Sequence, residues 1–263
     1  MDGTEAHELL ALASEAALDA GALLRERFEA GPEHDVTAKS TPTDLVSEAD
    51  LVSQHAIRKL IGERRPHDSF LAEEGGTDLA GSSGLQWVVD PLDGTINFLF
   101  GIPHWCVSIA VKDDHGTLAG VIHDPLAQET FTAVRGEPPT RNGRTMAAAG
   151  GRGASLADAL VATGFAYDAQ VRAAQGEVFE RLVSRVRDIR RFGSAALDLA
   201  WTAAGRYDAF FERTIKPWDI AAGVLLCECA GLEAHELPAH GELPSGILVV
   251  APSLAPSLLA LMV

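Results

Sequence analysis

Apolar side chains recur at helical spacing at Leu9, Leu12, Ala16, Ala20, Leu23 and Leu24. Residues 4–30 are therefore predicted to form a helix, which Gly31-Pro32 ends. The polar stretch that follows, containing Lys39, reads as a loop or loose hairpin. A second stripe, Leu45, Ala49, Val52, Ala56 and Leu60, predicts a helix after Thr43-Asp44 that stops near Gly62. Asp44, Glu48 and Asp50 fall near its start, where the helix dipole favours negative charge. Next come a strand over 69–72, the run Glu73-Glu74-Gly75-Gly76, and a Gly/Ser loop to Gly84. Strands over 87–90, 105–112, 117–123 and 129–134 are joined by the turn signals Asp113-Asp114-His115-Gly116 and Asp124-Pro125, which implies antiparallel pairing. Beyond a linker-like segment at 138–155 the pattern alternates: strand 158–163, helix 174–187, helix 194–205, strand 208–212, helix 218–229 and strand 247–250. Such alternation predicts α/β layering with helices on both sides of the sheets. One domain of two halves, about 1–140 and 141–263, fits the 263 residues.

Charge narrows the partners. Lys+Arg of 21 against Asp+Glu of 37 leaves a formal −16, so a nucleic-acid backbone or an anionic membrane is repelled overall, and neither is expected as a partner. A small phosphate ester is not barred, because bound divalent cations invert the local field. Cys106, Cys227 and Cys229 form no C-x-x-C pair, lie in apolar sequence and read as reduced thiols of a cytoplasmic protein. Asp2, Glu5 and Glu8 precede the first basic residue, Arg25, which is the opposite of a secretory signal. The uncharged stretch 246–263 carries Pro252 and Pro256 and fits a strand followed by a short helix better than a membrane span. Arg181, Arg185, Arg187, Arg190 and Arg191 read as the solvated basic face of a helix, with a dimer contact or an anion site as the alternative.

The chemistry centres on residues 84–112. Trp87, Val88 and Val89 form an apolar run that ends abruptly in Asp90-Pro91-Leu92-Asp93-Gly94-Thr95. Such a run reads as a buried strand delivering acids to the lip of a sheet, with pairing expected to stop at Pro91. Two carboxylates three residues apart can share one hard cation, with the Leu92 carbonyl between them as a further oxygen ligand. Gly94 lets the backbone approach closely, and Thr95 offers a hydroxyl and an amide to an anion. An isolated D-x-x-D is also compatible with a plain solvated turn, and Thr95 with a helix cap. In Pro217-Trp218-Asp219, Asp219 serves equally as a first-turn cap or as a ligand aimed by that cap. Ala221, Ala222 and Gly223 offer a small-residue face for close packing.

WVVDPLDGTINF resembles the first signature of the inositol monophosphatase family, PWDIAAGVLLCECAG at 217–231 the second, and FLAEEGG at 70–76 the Glu-Glu segment of its metal site. All three stand in the family's order. The resemblance implies the five-layer αβαβα sandwich of the inositol monophosphatase and fructose-1,6-bisphosphatase type, a homodimer, and two or three Mg²⁺ ions per site. It also implies a Mg²⁺-dependent, lithium-sensitive phosphomonoesterase acting on myo-inositol monophosphate. By the family's pattern Glu73, Asp90 and the Leu92 carbonyl hold one metal, and Asp90, Asp93 and Asp219 a second. Paired cations of this kind lie ~3.5–4 Å apart, one activating water and the other neutralising the leaving oxygen. Asp50 and Thr95 match the pair that orients the water, alongside Glu73 in the catalytic set. Gly94 and Thr95 match the phosphate contacts, and Asp93, Ser194, Ala195 and Glu212 the contacts to the ring hydroxyls.

Glu74 has no assigned role beyond an outer position or a third cation, and Glu212 is also compatible with a solvated strand end. Ile96, Phe100 and Leu232 depart from the pattern without removing a ligand, which bears on substrate identity. Histidinol phosphate, fructose 1,6-bisphosphate and 3′-phosphoadenosine 5′-phosphate are the alternative substrates. A non-catalytic protein that binds metal and sugar phosphate is the alternative of another class.

Overall fold

A computed structural model describes residues 3–31, 36–38, 45–75, 81–147 and 155–262; Lys39, Asp44 and residues 148–154 of the expected linker lie outside these. The chain begins with α1 (Gly3–Ala30), the antiparallel pair β1 (Val36–Ala38) and β2 (Leu45–Ser47), and α2 (Glu48–Arg64). Then follow β3 (Ser69–Ala72), β4 (Gln86–Asp93), the short α3 (Thr95–Leu99), β5 (Cys106–Asp113), β6 (Gly116–Asp124), β7 (Glu129–Val134) and a hairpin of β8 (Thr140–Arg141) and β9 (Arg144–Thr145). The remainder comprises β10 (Leu160–Thr163), α4 (Ala169–Val183), β11 (Asp188–Arg190), α5 (Ala195–Ala203), β12 (Ala209–Arg213), α6 (Pro217–Cys229), β13 (Glu233–Leu237), β14 (Gly246–Val250) and α7 (Ala255–Leu259).

Among the described residues β3 to β9 form one seven-stranded sheet in sequence order, parallel only between β3 and β4, and a second sheet runs β11-β10-β12-β14-β13. Alternation along the strands explains the layering. Trp87 and Val89 point into a core shared with α1 and α2, whereas Val88 points into another built with α5 and α6. In the second sheet Ala162, Phe210 and Val249 face that same central core. Val161, Phe211 and Val250 face a third core, closed by α4 and α7. Both faces of both sheets are thus covered, which is why the strands read as unbroken apolar runs. The order is helices, sheet, helices, sheet, helices: the five-layer sandwich the resemblance implied.

Several boundaries differ from expectation, each for a local reason. Leu45 lies in β2, and Ser47 caps α2 by accepting from the Asp50 amide, so the helix starts three residues late. Its buried face is Ala49, Asp50, Ser53, Gln54, Ile57 and Ile61; polar groups bonded to the neighbouring strand occupy positions that a purely apolar stripe misses. Strand β4 does not stop at Pro91: a bulge absorbs the proline and pairing resumes at Asp93 opposite Cys106. The expected strand over 158–163 begins only at Leu160, after a 3₁₀ turn. The helix expected over 174–187 is α4, started early by Asp168, whose carboxylate accepts from the amides of Gln170 and Val171.

The five arginines share no helix. Only Arg181 lies on α4; Arg187 donates to the Asp158 carbonyl, and Arg190 sits in β11. The expected linker opens with the β8–β9 hairpin, turned at Asn142-Gly143 with both φ positive. Cys106 and Cys227 are buried and Cys229 is partly so, all unbridged. Cys106 packs in the central apolar core, with its Sγ also 3.8 Å from the Asp93 carboxylate. No helix among the described residues is long and apolar enough to cross a membrane.

The central core is drawn tight by glycines. A Cβ on Gly120 of β6 would stand 3.0 Å from both Cα and Cβ of Ala222, and one on Gly223 would stand 2.5 Å from the Leu199 side chain. The small-residue face of α6 is therefore what lets it lie flat on the first sheet and against α5. Gly120→Val is expected to cost about 1–3 kcal/mol in urea denaturation by forcing α6 off the sheet. Gly176→Ala, in α4 with nothing within 4 Å of the added carbon, is expected to gain about 0.5–1 kcal/mol. A neutral Gly120→Val would remove the close packing from the account.

Candidate active site

The bulge at Pro91-Leu92 re-aims the end of β4 so that Asp90 and Asp93 both reach one cavity. Leu92 N–H donates to Asp90 Oδ1 at 3.0 Å, and Ser53 Oγ of α2 donates to the Pro91 carbonyl at 2.7 Å, so the bulge is fixed from within and from behind. Gly94 caps α3 with φ of +98°, and a Cβ there would meet the His104 carbonyl at 3.0 Å. Conformation and space both demand glycine at that position.

Thr95 Oγ1 lies 2.9 Å from Asp50 Oδ1 and 3.0 Å from the Leu92 carbonyl. Both of these are acceptors, so the single hydroxyl proton is directed to that side and the oxygen's lone pairs are left for another donor. Asp50 is fixed in turn: its Oδ2 accepts from Ser47 N–H at 2.8 Å and from Ser47 Oγ at 2.6 Å, closing a capping box at the head of α2. Its two oxygens face the helix cap and Thr95 respectively.

Asp93 joins the two parts of the molecule. Its Oδ2 accepts from Ser194 Oγ at 2.6 Å and from Ala196 N–H at 2.7 Å, at the start of α5. At the head of α6, Asp219 Oδ2 accepts from Lys216 N–H at 2.6 Å, a bond that aims the other carboxylate oxygen elsewhere. Gln54 clamps Glu74 through both backbone groups: its Oε1 accepts from the Glu74 N–H and its Nε2 donates to the Glu74 carbonyl. This fixes the chain just after Glu73.

A cavity of about 400 Å³ collects these pieces. Glu73, Asp90, Leu92, Asp93, Gly94 and Thr95 line one side, and Ala195, Glu212 and Asp219 line it from the second part of the chain. Of the expected site residues only Asp50 and Ser194 stand behind the wall, in contact with Thr95 and Asp93 rather than with the cavity.

Crowding of acids governs the electrostatics. Burial, and then the charges of Glu73, Asp93 and Asp219, push the Asp90 carboxyl well above the usual range. Asp93 is pushed up to about 6 by burial, held back by its bonds from Ser194 and Ala196. Asp219 is raised by burial and then by Asp93, Glu73 and Glu212, against the Lys216 amide. Glu212 rises to about 8 through burial and the Asp93 charge, opposed by Arg191. Among the described residues no three His, Cys, Asp or Glu side chains already form a ligand cage. The donors nevertheless fit a hard cation: all are oxygens, and their mutual repulsion is what a divalent ion relieves.

Sequence reasoning missed three contributors. Arg191, taken for part of a helix face, follows β11 and lines the cavity. Asp198, one turn along α5, is buried with its Oδ1 unpartnered among the described residues, and it is raised by burial, Glu212 and Asp93. Residues 164–168 form a whole wall. The available signal was topological: β10 and β12 run parallel, and ligands gather at the carboxyl ends of parallel strands.

Comparison with known proteins agrees with this geometry. The model of the Inositol monophosphatase family matches residues 5–260. The Nus factor SuhB of Pasteurella multocida is 40% identical over 245 residues, covering 92% of this chain and 91% of that protein. The Inositol-1-monophosphatase SuhB of Mycobacterium tuberculosis is 39% identical over 233 residues, covering 86% and 80%. The crystal structure of extragenic suppressor protein suhB from Bartonella henselae superimposes with a TM-score of 0.89 at 32% identity, covering 97% of this chain and 98% of that one. With the family's motifs converging on one acidic cavity and its model spanning nearly every residue, this chain belongs to the inositol monophosphatase family.

Proposed function

We propose that the protein is a Mg²⁺-dependent, lithium-sensitive phosphomonoesterase that hydrolyses myo-inositol monophosphate to inositol and phosphate. The observation that carries this reading is the one cavity lined together by Glu73, Asp90, Asp93, Asp219, Gly94, Thr95 and Glu212. Glu73, Asp90, the Leu92 carbonyl, Asp93 and Asp219 would hold the cations. When bound, Mg²⁺ supplies Lewis-acid activation of water and neutralises charge on the phosphoryl and leaving oxygens. Thr95 orients the attacking water: its proton is committed to the Asp50 side, so its oxygen accepts from that water, a modest general-base role shared with Asp50. The first turn of α3, at Gly94 and Thr95, receives the phosphate. Ser194 acts through Asp93, fixing one carboxylate oxygen so that the other faces the cavity. Glu212 and the Ala195 backbone receive the ring hydroxyls. A homodimer belongs to the same proposal.

A second reading, a non-catalytic partner protein, is favoured by one observation. Relatives as similar as the mycobacterial phosphatase carry the name Nus factor. The expected absence of a nucleic-acid partner is therefore not carried forward. Phosphate release separates the two readings, because a purely non-catalytic protein would bind Mg²⁺ and sugar phosphate without turnover.

Release is expected to be fastest from inositol 1-phosphate in a panel with histidinol phosphate, fructose 1,6-bisphosphate and 3′-phosphoadenosine 5′-phosphate, to vanish with EDTA, and to fall with Li⁺. Faster release from another member would change the substrate, and none at all would leave the non-catalytic reading. Asp93→Asn, which keeps the acceptor for Ser194, is expected to lower kcat on the order of a hundredfold or more with the fold retained. Unchanged turnover would remove Asp93 from the site.

Stability should report the same acids. Folded Asp93 and Glu212 keep their protons up to about 6 and about 8, whereas unfolded carboxyls release theirs near ~4. Between these limits the native state binds more protons than the unfolded chain, so stability of the chelated protein falls as pH rises from about 4 to about 8. Added Mg²⁺ is expected to raise Tm more at the upper end of that window than at the lower. An equal gain at both ends would dissociate the cation from these carboxylates.

A further inference from the structure

We propose that Gly164 is a specificity-determining position, because its missing side chain is what allows the Glu212 carboxylate to stand in the cavity wall and meet a polyol. The inference rests on the reading of Glu212 as the acceptor of ring hydroxyls and adds the element that places it. Thr163, the last residue of β10, pairs in parallel with Phe211 of β12, so the residues that follow, Gly164 and Glu212, are neighbours across the ladder. A Cβ on Gly164 would lie 2.1 Å from Cδ and Oε2 of Glu212 and 2.2 Å from its Oε1. The whole carboxylate occupies the volume that any other residue at 164 would fill.

Backbone conformation does not require glycine here, since φ of Gly164 lies outside the left-handed region. Nor is this the ordinary need for close-packed strands. On the opposite side of the same residue, a Cβ on Gly246 would meet the Glu212 carbonyl at 2.2 Å and Arg213 Cα at 2.7 Å, so that glycine protects the β12–β14 ladder. At Gly164 the obstacle is instead the free end of a flexible side chain.

Which partner yields is decided by what holds each. The loop after β10 is pinned from α4: Gln175 Oε1 accepts from Ala166 N–H at 2.8 Å, and Arg172 Nη1 donates to the carbonyls of Ala166 and Tyr167 at 3.0 and 2.6 Å. Glu212 is raised by burial and by Asp93 and lowered by Arg191, with no hydrogen bond to its carboxylate in that balance. Among the described residues it is placed by packing on the Gly164 backbone and by the Arg191 charge. A side chain at 164 is therefore absorbed by rotation of Glu212 away from its position, at small cost to the fold, and the cavity loses a carboxyl acceptor for hydroxyl groups.

The test measures kcat/KM for inositol 1-phosphate relative to p-nitrophenyl phosphate, which has no hydroxyls to recognise, in the Mg²⁺-loaded wild type, Gly164→Ala, Glu212→Ala, Glu212→Asp and Gly164→Ala/Glu212→Asp. Gly164→Ala is expected to lower this ratio about tenfold, mostly through KM for inositol 1-phosphate, as loss of hydrogen bonds to a buried acceptor dictates. Glu212→Asp shortens the side chain by one methylene and makes room, so the double variant is expected to lose less than the product of the two single losses. A crystal structure of Gly164→Ala is expected to place the Glu212 carboxylate in a new rotamer with both strands unmoved.

If Glu212→Ala lowers the ratio while Gly164→Ala does not, the inference about Gly164 falls and the reading of Glu212 stands. If Glu212→Ala leaves the ratio unchanged, the reading of Glu212 falls and takes the inference with it. A Gly164→Ala chain that fails to fold, or whose strands part while Glu212 stays in place, also overturns the inference.

Discussion

Asp93 accepting from the first turn of α5 is the interaction on which the rest of the site depends. The residue ends the second strand of the first sheet, yet its Oδ2 is bonded at 2.6 and 2.7 Å to Ser194 and Ala196 on a helix of the central layer. Hydrogen bonds to an ionised oxygen are short and strong, so they fix distance and angle between two parts of the chain about a hundred residues apart. The same carboxylate lines the cavity. Removing the Ser194 hydroxyl would loosen the register between the β4 bulge, which carries the acids, and α5, whose neighbour α6 carries Asp219.

That coupling explains why both sheets are sealed on both faces. An acid cluster with several carboxyls pushed above their usual range is costly, and a fold tolerates it only where the surrounding structure holds the groups in place. Ala222 packed on Gly120 and Leu199 packed on Gly223 bring α5 and α6 so close to the first sheet that the heads of both helices have little freedom to retreat from Asp90 and Asp93. Bulge, capping boxes and small-residue contacts serve one end, holding the acids in place: Asp93 and Asp219 each bond the protein through Oδ2 and line the cavity, whereas both oxygens of Asp50 are bonded, to Ser47 and Thr95, behind it.

Much of this was legible in the chain, and the misses have physical causes. The run through Trp87 to Asp93 announced a doubly covered strand because both faces are apolar, and the acids after it announced the site. Asp219 was ambiguous between cap and ligand because it is suited to both. The Lys216 amide takes one of its oxygens and the cavity the other. The start of α2 was misplaced because Leu45 belongs to β2 and Ser47 caps the helix, and its buried face was only half legible because Ser53 and Gln54 are buried for their bonds to Pro91 and Glu74, to which a periodicity of apolar residues is blind. Arg191 and Gly164 were invisible for another reason. Their importance lies in which strand ends lie side by side, and sequence spacing carries no record of the order β11-β10-β12.

The wall formed by residues 164–168 also bears on how a chain of net charge −16 handles an anionic substrate. At the acidic side of the cavity the phosphate is compatible only with bound cations, since the field there is otherwise repulsive. Arg191 and Lys216 both line the cavity, and of the two Arg191 is the one that acts on Glu212 and Asp198. A phosphate entering beside Arg191 would compete with Glu212 for it and leave that acid uncompensated. A neutral polyol does not disturb the balance, because its hydroxyls donate to Glu212 while the Arg191 charge stays where it is. The arrangement therefore supports the proposed substrate, with one anionic end and one uncharged, hydroxyl-rich end, its phosphate placed toward Asp90 and Asp93 in that proposal.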